Sequence, residues 1–201
     1  MPKNRIKRMN SKAILQAMKA LMLENTRENA EKLATLAGLR LLPPPLLDEE
    51  IEQILFFSSL SDEGETFNPI KFEKIIAALK RQNVPFLLGE EGGRFAQQMG
   101  AEAVYYPTEE GQSGFFAFPQ NPTRTQVIEE LLHYGQHRRV KFKSVSWEEI
   151  VKFELEAQQK LLEIGAKLNW SDVELMQIIR AMRQWQQEYD KLQEKGNANK
   201  N

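Results

Sequence analysis

The chain has 201 residues, of which 41% are hydrophobic and 27% charged, and its formal net charge is −1. This composition is typical of a globular protein with a buried core, and the balanced charge gives no overall attraction to nucleic acid or to an anionic membrane. The chain contains no cysteine. Disulfides, thiol nucleophiles and cysteine-ligated zinc are therefore excluded, and a transition-metal site would have to use histidine and carboxylate ligands.

The sequence contains no targeting segment of a familiar kind. No apolar run approaches the roughly 20 residues that a membrane-spanning helix needs. The basic start, Met1–Arg8, is not followed by the continuous apolar segment of a cleaved secretory signal. We therefore expect no transmembrane segment, and either a cytoplasmic protein or one that is exported without such a signal.

The N-terminal part of the chain predicts helices that stop at a proline boundary. Apolar residues recur at helical spacing over residues 11–37, which indicates one or two helices. Pro43–Pro45 end this region, because consecutive prolines cannot continue a helix. We therefore expect an N-terminal helical extension over residues 1–45, a main domain over residues 46–193, and a disordered polar tail over residues 194–201.

The middle of the chain predicts short helices that alternate with short strands. Residues 48–60 indicate a helix and residues 61–68 a loop, after which Asn68 and Pro69 are start signals for a helix that ends near Gln82. The further predictions in this region are strands at residues 84–88, 101–106 and 115–118, a turn at Gly92–Gly93, and a short helix at residues 94–99.

The C-terminal third predicts three helices, because it holds three capping boxes of the form Ser/Thr-x-x-Glu/Gln. The boxes are Thr123 with Gln126, Ser146 with Glu149, and Ser171 with Glu174. The third helix is expected to end near residue 193 and to bury an apolar stripe against the sheet or the preceding helix. That stripe consists of Leu175, Ile178, Ile179, Met182 and Trp185. The predicted class is α+β, with a small mixed β-sheet followed by these helices.

The helix that Thr123 opens carries the residues with the clearest chemical potential. Glu129, Glu130, His133 and His137 fall on one arc of the helical wheel. The run from Glu129 to His133 matches the zinc-peptidase signature His-Glu-x-x-His, with the first His replaced by Glu. In that register Glu129 and His133 are metal ligands one turn apart, and Glu130 is the general base toward a water that the metal activates. The opposite arc, expected to face the core, holds Ile128, Leu131, Leu132 and Gly135.

Other interpretations of these residues stay open. A polar arc opposite an apolar arc is typical of any surface helix. His137 is a candidate additional ligand, a hydrogen-bond partner that supports the ligands, a hydrogen-bond donor to the transition state, or a surface residue. Tyr134 lies at the margin of the arc, where it would either donate a hydrogen bond to an oxyanion or pack at the helix edge.

The helix that Ser146 opens places Glu154 inside its apolar face and Glu156 near the edge of that face. A carboxylate on a buried face is costly unless it is paired or bound to a metal. We therefore expect Glu154 to have a specific partner. The candidates are a metal ion shared with His133 and a salt bridge to Arg138 or Arg139.

The segment Asn121–His137, followed by Phe153–Gln158, resembles the zincin-like metallopeptidase toxin domains of bacterial polymorphic toxin systems. The resemblance covers roughly residues 65–193. It implies a zincin-like motif helix, a ligand helix and a closing C-terminal helix after the sheet. It further implies a metal-dependent hydrolase, most readily a peptidase, that acts as a toxin effector on a protein or peptide substrate and is neutralised by a cognate immunity protein.

The resemblance also implies roles for individual residues. Glu130 matches the catalytic Glu, His133 the second-His ligand and Glu154 the downstream ligand, and Glu129 stands where the usual first His would be. Zinc is the expected divalent metal. Two carboxylates with one imidazole make a harder donor set than two imidazoles with one carboxylate, so manganese and iron are the alternatives. The strand Gly114–Phe118 is a candidate edge for an extended peptide, with a plain core strand as its alternative.

Two other functions compete with the hydrolase. A catalytically inactive zincin-like fold that serves as a protein-interaction domain would explain the Glu at position 129. A nucleic-acid-binding module would use the basic run Arg138–Lys143, which contains one aromatic residue. That run is short, and we expect neither nucleic acid nor a membrane as the partner. Bound metal in the purified protein distinguishes the hydrolase from the interaction domain, and salt-dependent binding to DNA would be the evidence for the nucleic-acid module.

Overall fold

The structure is a computed structural model of the chain and describes residues 47–57, 60–62 and 64–198. These residues form six α-helices and one three-stranded mixed sheet, which confirms the predicted α+β class. The helices are α1 (Glu49–Phe57), α2 (Pro69–Arg81), α3 (Gly89–Gln98), α4 (Arg124–Arg139), α5 (Trp147–Lys167) and α6 (Asp172–Ala198). The strands are β1 (Phe86–Leu88), β2 (Val104–Tyr106) and β3 (Phe115–Phe118). The predicted extension over residues 1–45 lies outside the described residues.

The chain divides into two compact units. One unit comprises residues 45–145 and holds α1 to α4 with the whole sheet. The other includes residues 146–198 and holds α5 and α6. The main domain predicted over residues 46–193 takes in parts of both units.

The sheet has the strand order β1-β3-β2, with β1 parallel and β2 antiparallel to the central strand. Phe116 and Phe118 on β3 are fully buried. The expectation that Gly114–Phe118 offers an edge to a peptide is wrong, because both sides of β3 already pair within the sheet. The alternative of a hydrophobic core strand is confirmed.

Gly92 lies inside α3, so the predicted turn at Gly92–Gly93 is wrong and the helix begins five residues earlier than expected, at Gly89. A Cβ atom at Gly92 would overlap the backbone carbonyl oxygens of Leu87 and Phe118. The missing side chain thus lets α3 lie directly against β1 and β3. Glycine is required at position 92, as the sequence indicated, but the reason is the close packing of a helix on two strands and not a turn.

Local capping chemistry fixes the starts of α2 and α4 in this unit. The Asn68 side chain accepts hydrogen bonds from the backbone N–H groups of Ile70 and Lys71, and Pro69 occupies the first turn. Thr123 and Gln126 form the predicted reciprocal capping box. The helix α4 then packs against β2. Its core-facing residues are buried as expected: Ile128, Leu131, Leu132 and Gly135.

The second unit is built from α5 packed along α6. The predicted capping box of Ser146 and Glu149 starts α5, and Ser171 hydrogen bonds with Glu174 at the start of α6. The expected end of the last helix near residue 193 is wrong, because α6 continues to Ala198 and residues 194–198 are therefore helical. The predicted apolar stripe is buried at Leu175, Ile178, Ile179 and Met182, whereas Trp185 is half-buried with its ring 6.2 Å from that of Trp147.

Among residues 47–57, 60–62 and 64–198, no helix combines the length and the apolar character that crossing a membrane requires.

Candidate metal centre

The three residues predicted as metal ligands form one group. Glu129, His133 and Glu154 each offer one ligand atom, and these atoms all lie within 4.8 Å of one another. All three residues are half-buried. The group can hold a metal ion, and its three members are those that the sequence pattern selected.

The spacing and chemistry of this group fit a small divalent cation. Zinc bonds to nitrogen and oxygen ligands at about 2.0–2.2 Å, so its ligand atoms lie roughly 3.3 Å apart in a tetrahedral site. The ligand atoms of the three residues lie within 4.8 Å of one another, which is somewhat wider than that spacing. Three protein ligands would leave a coordination position open for water or substrate, as in catalytic sites.

One ring nitrogen of His133 has a hydrogen-bonding partner on the same helix. Its Nδ1 lies 3.0 Å from Oε1 of Gln136, and Gln136 is fully buried. Residues three apart on a helix lie on the same side, which places this amide beside the imidazole. The Gln136 amide therefore lies on the Nδ1 side of the His133 imidazole.

Glu130, the predicted general base, does not belong to the three-residue group. Its Oε2 accepts a short hydrogen bond from the backbone N–H of Tyr105 on β2. In the register of the sheet Tyr105 stands opposite Phe116 of β3. Glu130 therefore satisfies a backbone donor on the strand against which α4 packs.

His137 does not belong to the group either, and it occupies a different environment. It is 7% exposed, and its Nδ1 lies 2.9 Å from the hydroxyl oxygen of Tyr105. Burial lowers the pKa of His137, and a hydrogen bond to the backbone of Lys143 partly offsets that effect. The imidazole is therefore mainly neutral near pH 7. The alternative that His137 is a surface residue is wrong, because its side chain is buried beside Tyr105.

Tyr105 connects several of these residues. Its hydroxyl oxygen accepts a hydrogen bond from the backbone N–H of Gly114 over 2.8 Å. Burial raises the pKa of this hydroxyl to about 12, so Tyr105 keeps its proton throughout the physiological range. Its ring also packs against Tyr134 and Phe116, with centroids 5.5 Å and 5.1 Å away.

The same aromatic cluster defines the position of Tyr134. The residue is buried, and its hydroxyl donates a hydrogen bond to Oε1 of Gln82 over 3.2 Å. Burial raises the pKa of the Tyr134 hydroxyl. Of the two roles considered for Tyr134, packing at the helix edge is the one observed.

The two carboxylates of α5 differ from expectation in their burial. Glu156 is buried and Glu154 is half-buried, so the assignment of Glu154 to the apolar face and Glu156 to its margin is wrong. The physical reason is that residues 155–159 are all buried, so burial at this level surrounds the helix and is not confined to one arc. Half-burial suits a ligand that a water molecule or substrate must also reach.

The basic run Arg138–Lys143 uses two of its members for internal contacts. The Phe142 ring packs against Tyr134 and His137, with centroids 6.2 Å and 5.2 Å away. Arg138 pairs with Asp48 over 3.3 Å, although it was a candidate partner for Glu154. The one aromatic residue of the run thus packs within the protein.

Sequence reasoning missed two residues that shape this region, Gln136 and Tyr105. Gln136 had a usable signal, because it lies three positions after His133 on the same predicted helix. Tyr105 had none, since it is 25 residues from Glu130 and 32 from His137 along the chain. Only the packing of α4 against β2 makes its backbone and hydroxyl neighbours of those side chains.

Comparisons of the chain with protein-family models, with curated proteins and with solved structures found no match.

Proposed function

We propose that the protein is a divalent-metal-dependent hydrolase whose metal is held by Glu129, His133 and Glu154. The observation that carries the proposal is the group itself: two carboxylates and an imidazole with ligand atoms within 4.8 Å of one another. Zinc is the first candidate ion. Manganese and iron are the alternatives, because two of the three ligands are hard oxygen donors.

A divalent ion held there would polarise a carbonyl and acidify water, which is the chemistry of metal-assisted hydrolysis. The protein's own contribution would begin with His133, whose Nδ1 lies 3.0 Å from the buried Gln136 amide. Glu130 directly follows the ligand Glu129 on α4, and in the proposed reaction it accepts the proton of the attacking water. To do so, the Glu130 carboxylate would have to break its hydrogen bond with the Tyr105 N–H, or accept hydrogen bonds from that N–H and from the water at the same time.

A peptide bond is the proposed target, and a toxin effector is the proposed biological role. Both rest on the likeness of Glu129–His133 and the downstream Glu154 to zincin-like toxin domains. In that role the protein would act on a protein or peptide substrate, and a cognate immunity protein would neutralise it. The proposed site needs no cysteine ligand, because one histidine and two carboxylates supply all of its protein ligands.

The first test is the metal content of the purified full-length protein after incubation with zinc, manganese or iron and removal of free ions. We expect close to one metal ion per chain in the wild type and none in the double variant His133→Ala/Glu154→Ala. Glu148→Gln is the matched control, because Glu148 is an exposed glutamate of the same helix as Glu154 and pairs only with its neighbour Lys152 among the ion pairs described. It should bind metal like the wild type.

Equal metal content in the wild type and the double variant would show that the ligand assignment is wrong. A wild type that takes up none of the three metals would overturn the hydrolase. Circular dichroism of each variant establishes that a loss of metal is not a loss of fold.

A second candidate function is a catalytically inactive zincin-like fold that serves as a protein-interaction domain. The observation that favours it is the engagement of the Glu130 carboxylate by the Tyr105 N–H, which is a structural use of the proposed base. This candidate predicts a folded protein without peptidase activity, whether or not metal binds.

A further inference from the structure

The buried amide of Gln136 lies one turn after His133 on α4, with its Oε1 3.0 Å from the Nδ1 of the imidazole. Gln136 is fully buried, whereas most glutamines lie at the surface of proteins. Burying an amide costs free energy unless its polar atoms are hydrogen-bonded. An apolar side chain would fill the same space without that cost, so the amide group itself is expected to have a role. The contact with His133 uses its carbonyl oxygen.

We propose that Gln136 is the positioning residue of the metal centre: it fixes His133 in the tautomer that carries its proton on Nδ1, so that Nε2, which then carries no proton, is the nitrogen that binds the metal. This inference rests on the proposed metal site. A carbonyl oxygen can only accept a hydrogen bond, so the imidazole nitrogen that faces it must carry the proton. A metal binds the nitrogen without a proton, and a hydrogen bond to the other nitrogen both orients the ring and increases its basicity.

The other histidine, His137, has different hydrogen-bond partners from those of His133. His137 faces the Tyr105 hydroxyl through Nδ1, and it also hydrogen bonds to the Lys143 backbone. The bond to Lys143 favours the protonated imidazole, so the ring is the donor to a carbonyl oxygen there. Since Nδ1 serves the hydroxyl, the proton of the neutral ring belongs on Nε2. The only two histidines of the chain, one helical turn apart, should therefore be in opposite tautomers.

The test is a two-bond proton–nitrogen correlation spectrum of the ¹⁵N-labelled full-length protein at pH 8, with a chelator present to exclude metal. The ring-nitrogen shifts report directly which nitrogen carries the proton. We expect His133 protonated on Nδ1 and His137 on Nε2, with a His137→Gln variant assigning the two sets of signals. A predominantly Nε2-protonated His133 would overturn the proposal, because the Gln136 amide would then present its NH₂ group to Nδ1 and the metal-binding nitrogen would be blocked.

Variants of Gln136 supply a second readout. Gln136→Met keeps the length of the side chain but removes the acceptor oxygen, and we expect His133 to lose its Nδ1–H preference and zinc affinity to fall by about 10–100-fold. Gln136→Glu keeps an acceptor oxygen at the same place and should restore the Nδ1–H tautomer. If Gln136→Met kept both the wild-type tautomer and the wild-type affinity, Gln136 would not be a positioning residue.

The two measurements separate the failure of this inference from the failure of the proposed function. The tautomer of metal-free His133 is defined whether or not the protein binds metal. An Nδ1-protonated His133 in a protein that takes up no metal would leave the hydrogen bond established and overturn the metal centre. Should Gln136→Met fail to fold, the wild-type spectrum alone still decides the tautomer.

Discussion

Tyr105 is the residue that determines how two of the predicted site residues are used. Its backbone N–H donates to Glu130, its hydroxyl lies 2.9 Å from His137, and the same hydroxyl accepts from the Gly114 N–H. Each of these groups is polar and lies within or next to an aromatic cluster, where an unsatisfied donor or acceptor would cost about 1–3 kcal/mol. Satisfying buried hydrogen bonds therefore accounts for Glu130 and His137 as well as catalysis does.

The buried His137 should make stability depend on pH in a narrow window. Its folded pKa lies below its ordinary value of 6.5, so between these two values the unfolded chain binds more protons than the native one. Stability therefore rises with pH in this window. The contribution of His137 to the free energy of unfolding is complete above pH 6.5, and it is lost as the pH falls from 6.5 through the folded pKa.

We expect the free energy of unfolding of metal-free wild type, measured with urea, to fall as the pH is lowered from 7.5 to 5.5. The variant His137→Gln, which cannot titrate, should show a smaller fall, and His133→Gln should keep the contribution of His137. An unchanged slope in His137→Gln would contradict the assignment of this pH dependence to His137.

At the scale of elements, close approach between α3 and the sheet depends on a glycine in the helix. Gly92 stands where any Cβ would overlap backbone oxygens of β1 and β3, and backbone atoms cannot move aside as a flexible side chain can. Its neighbour Gly93 is on the same helix, but a Cβ there would meet Pro119 at an ordinary contact distance of 3.6 Å. The two glycines thus form a matched pair that separates packing from helix propensity.

We expect Gly92→Ala to lower the free energy of unfolding by about 1–3 kcal/mol or more, because it overpacks a rigid contact. Gly93→Ala should be neutral or stabilising by up to about 1 kcal/mol, because alanine is the better helix former. Urea denaturation of both variants against wild type measures these changes. Similar effects of the two substitutions would show that the close approach of α3 to the strands is not what requires Gly92.

At the scale of the whole molecule, the prediction that decides between the two proposed functions concerns Glu130. In the variant Glu130→Gln the glutamine Oε1 can still accept the hydrogen bond of the Tyr105 N–H, but the side chain can no longer take a proton. We expect this variant to keep the metal of the wild type and to lose at least about 100-fold of its rate on an unfolded protein substrate.

The control for that measurement is again Glu148→Gln, which should keep both metal and rate. A wild type that binds metal and cleaves no protein or peptide in a broad screen would favour the interaction domain. A Glu130→Gln variant as active as the wild type would remove Glu130 from the reaction and require another base.

Much of the local structure followed from the sequence because its causes are local. The caps at Asn68, Thr123 and Ser146 are hydrogen bonds between residues two or three positions apart, so the spacing of residue types reveals them. The polar arc of α4 also has a local cause, because a rotation of about 100° per residue places its polar side chains on one side of the helix. For the same reason the pairing of Glu129 with His133 was predictable from one turn of helix, and the capping signals also marked where most helices begin.

The tertiary structure decided everything that depends on residues distant in sequence. It made β3 the central strand, converted Gly92 from a predicted turn into a packing position within α3, and buried Glu156 more deeply than Glu154. It also brought Tyr105 to Glu130 and His137. Strand order and burial arise from packing between elements, and such contacts leave no regular spacing of residue types in the sequence. The sequence therefore determined most helix starts, their caps and the candidate ligands, whereas packing between elements decided the strand order, the burial of the carboxylates and the partners of Glu130 and His137.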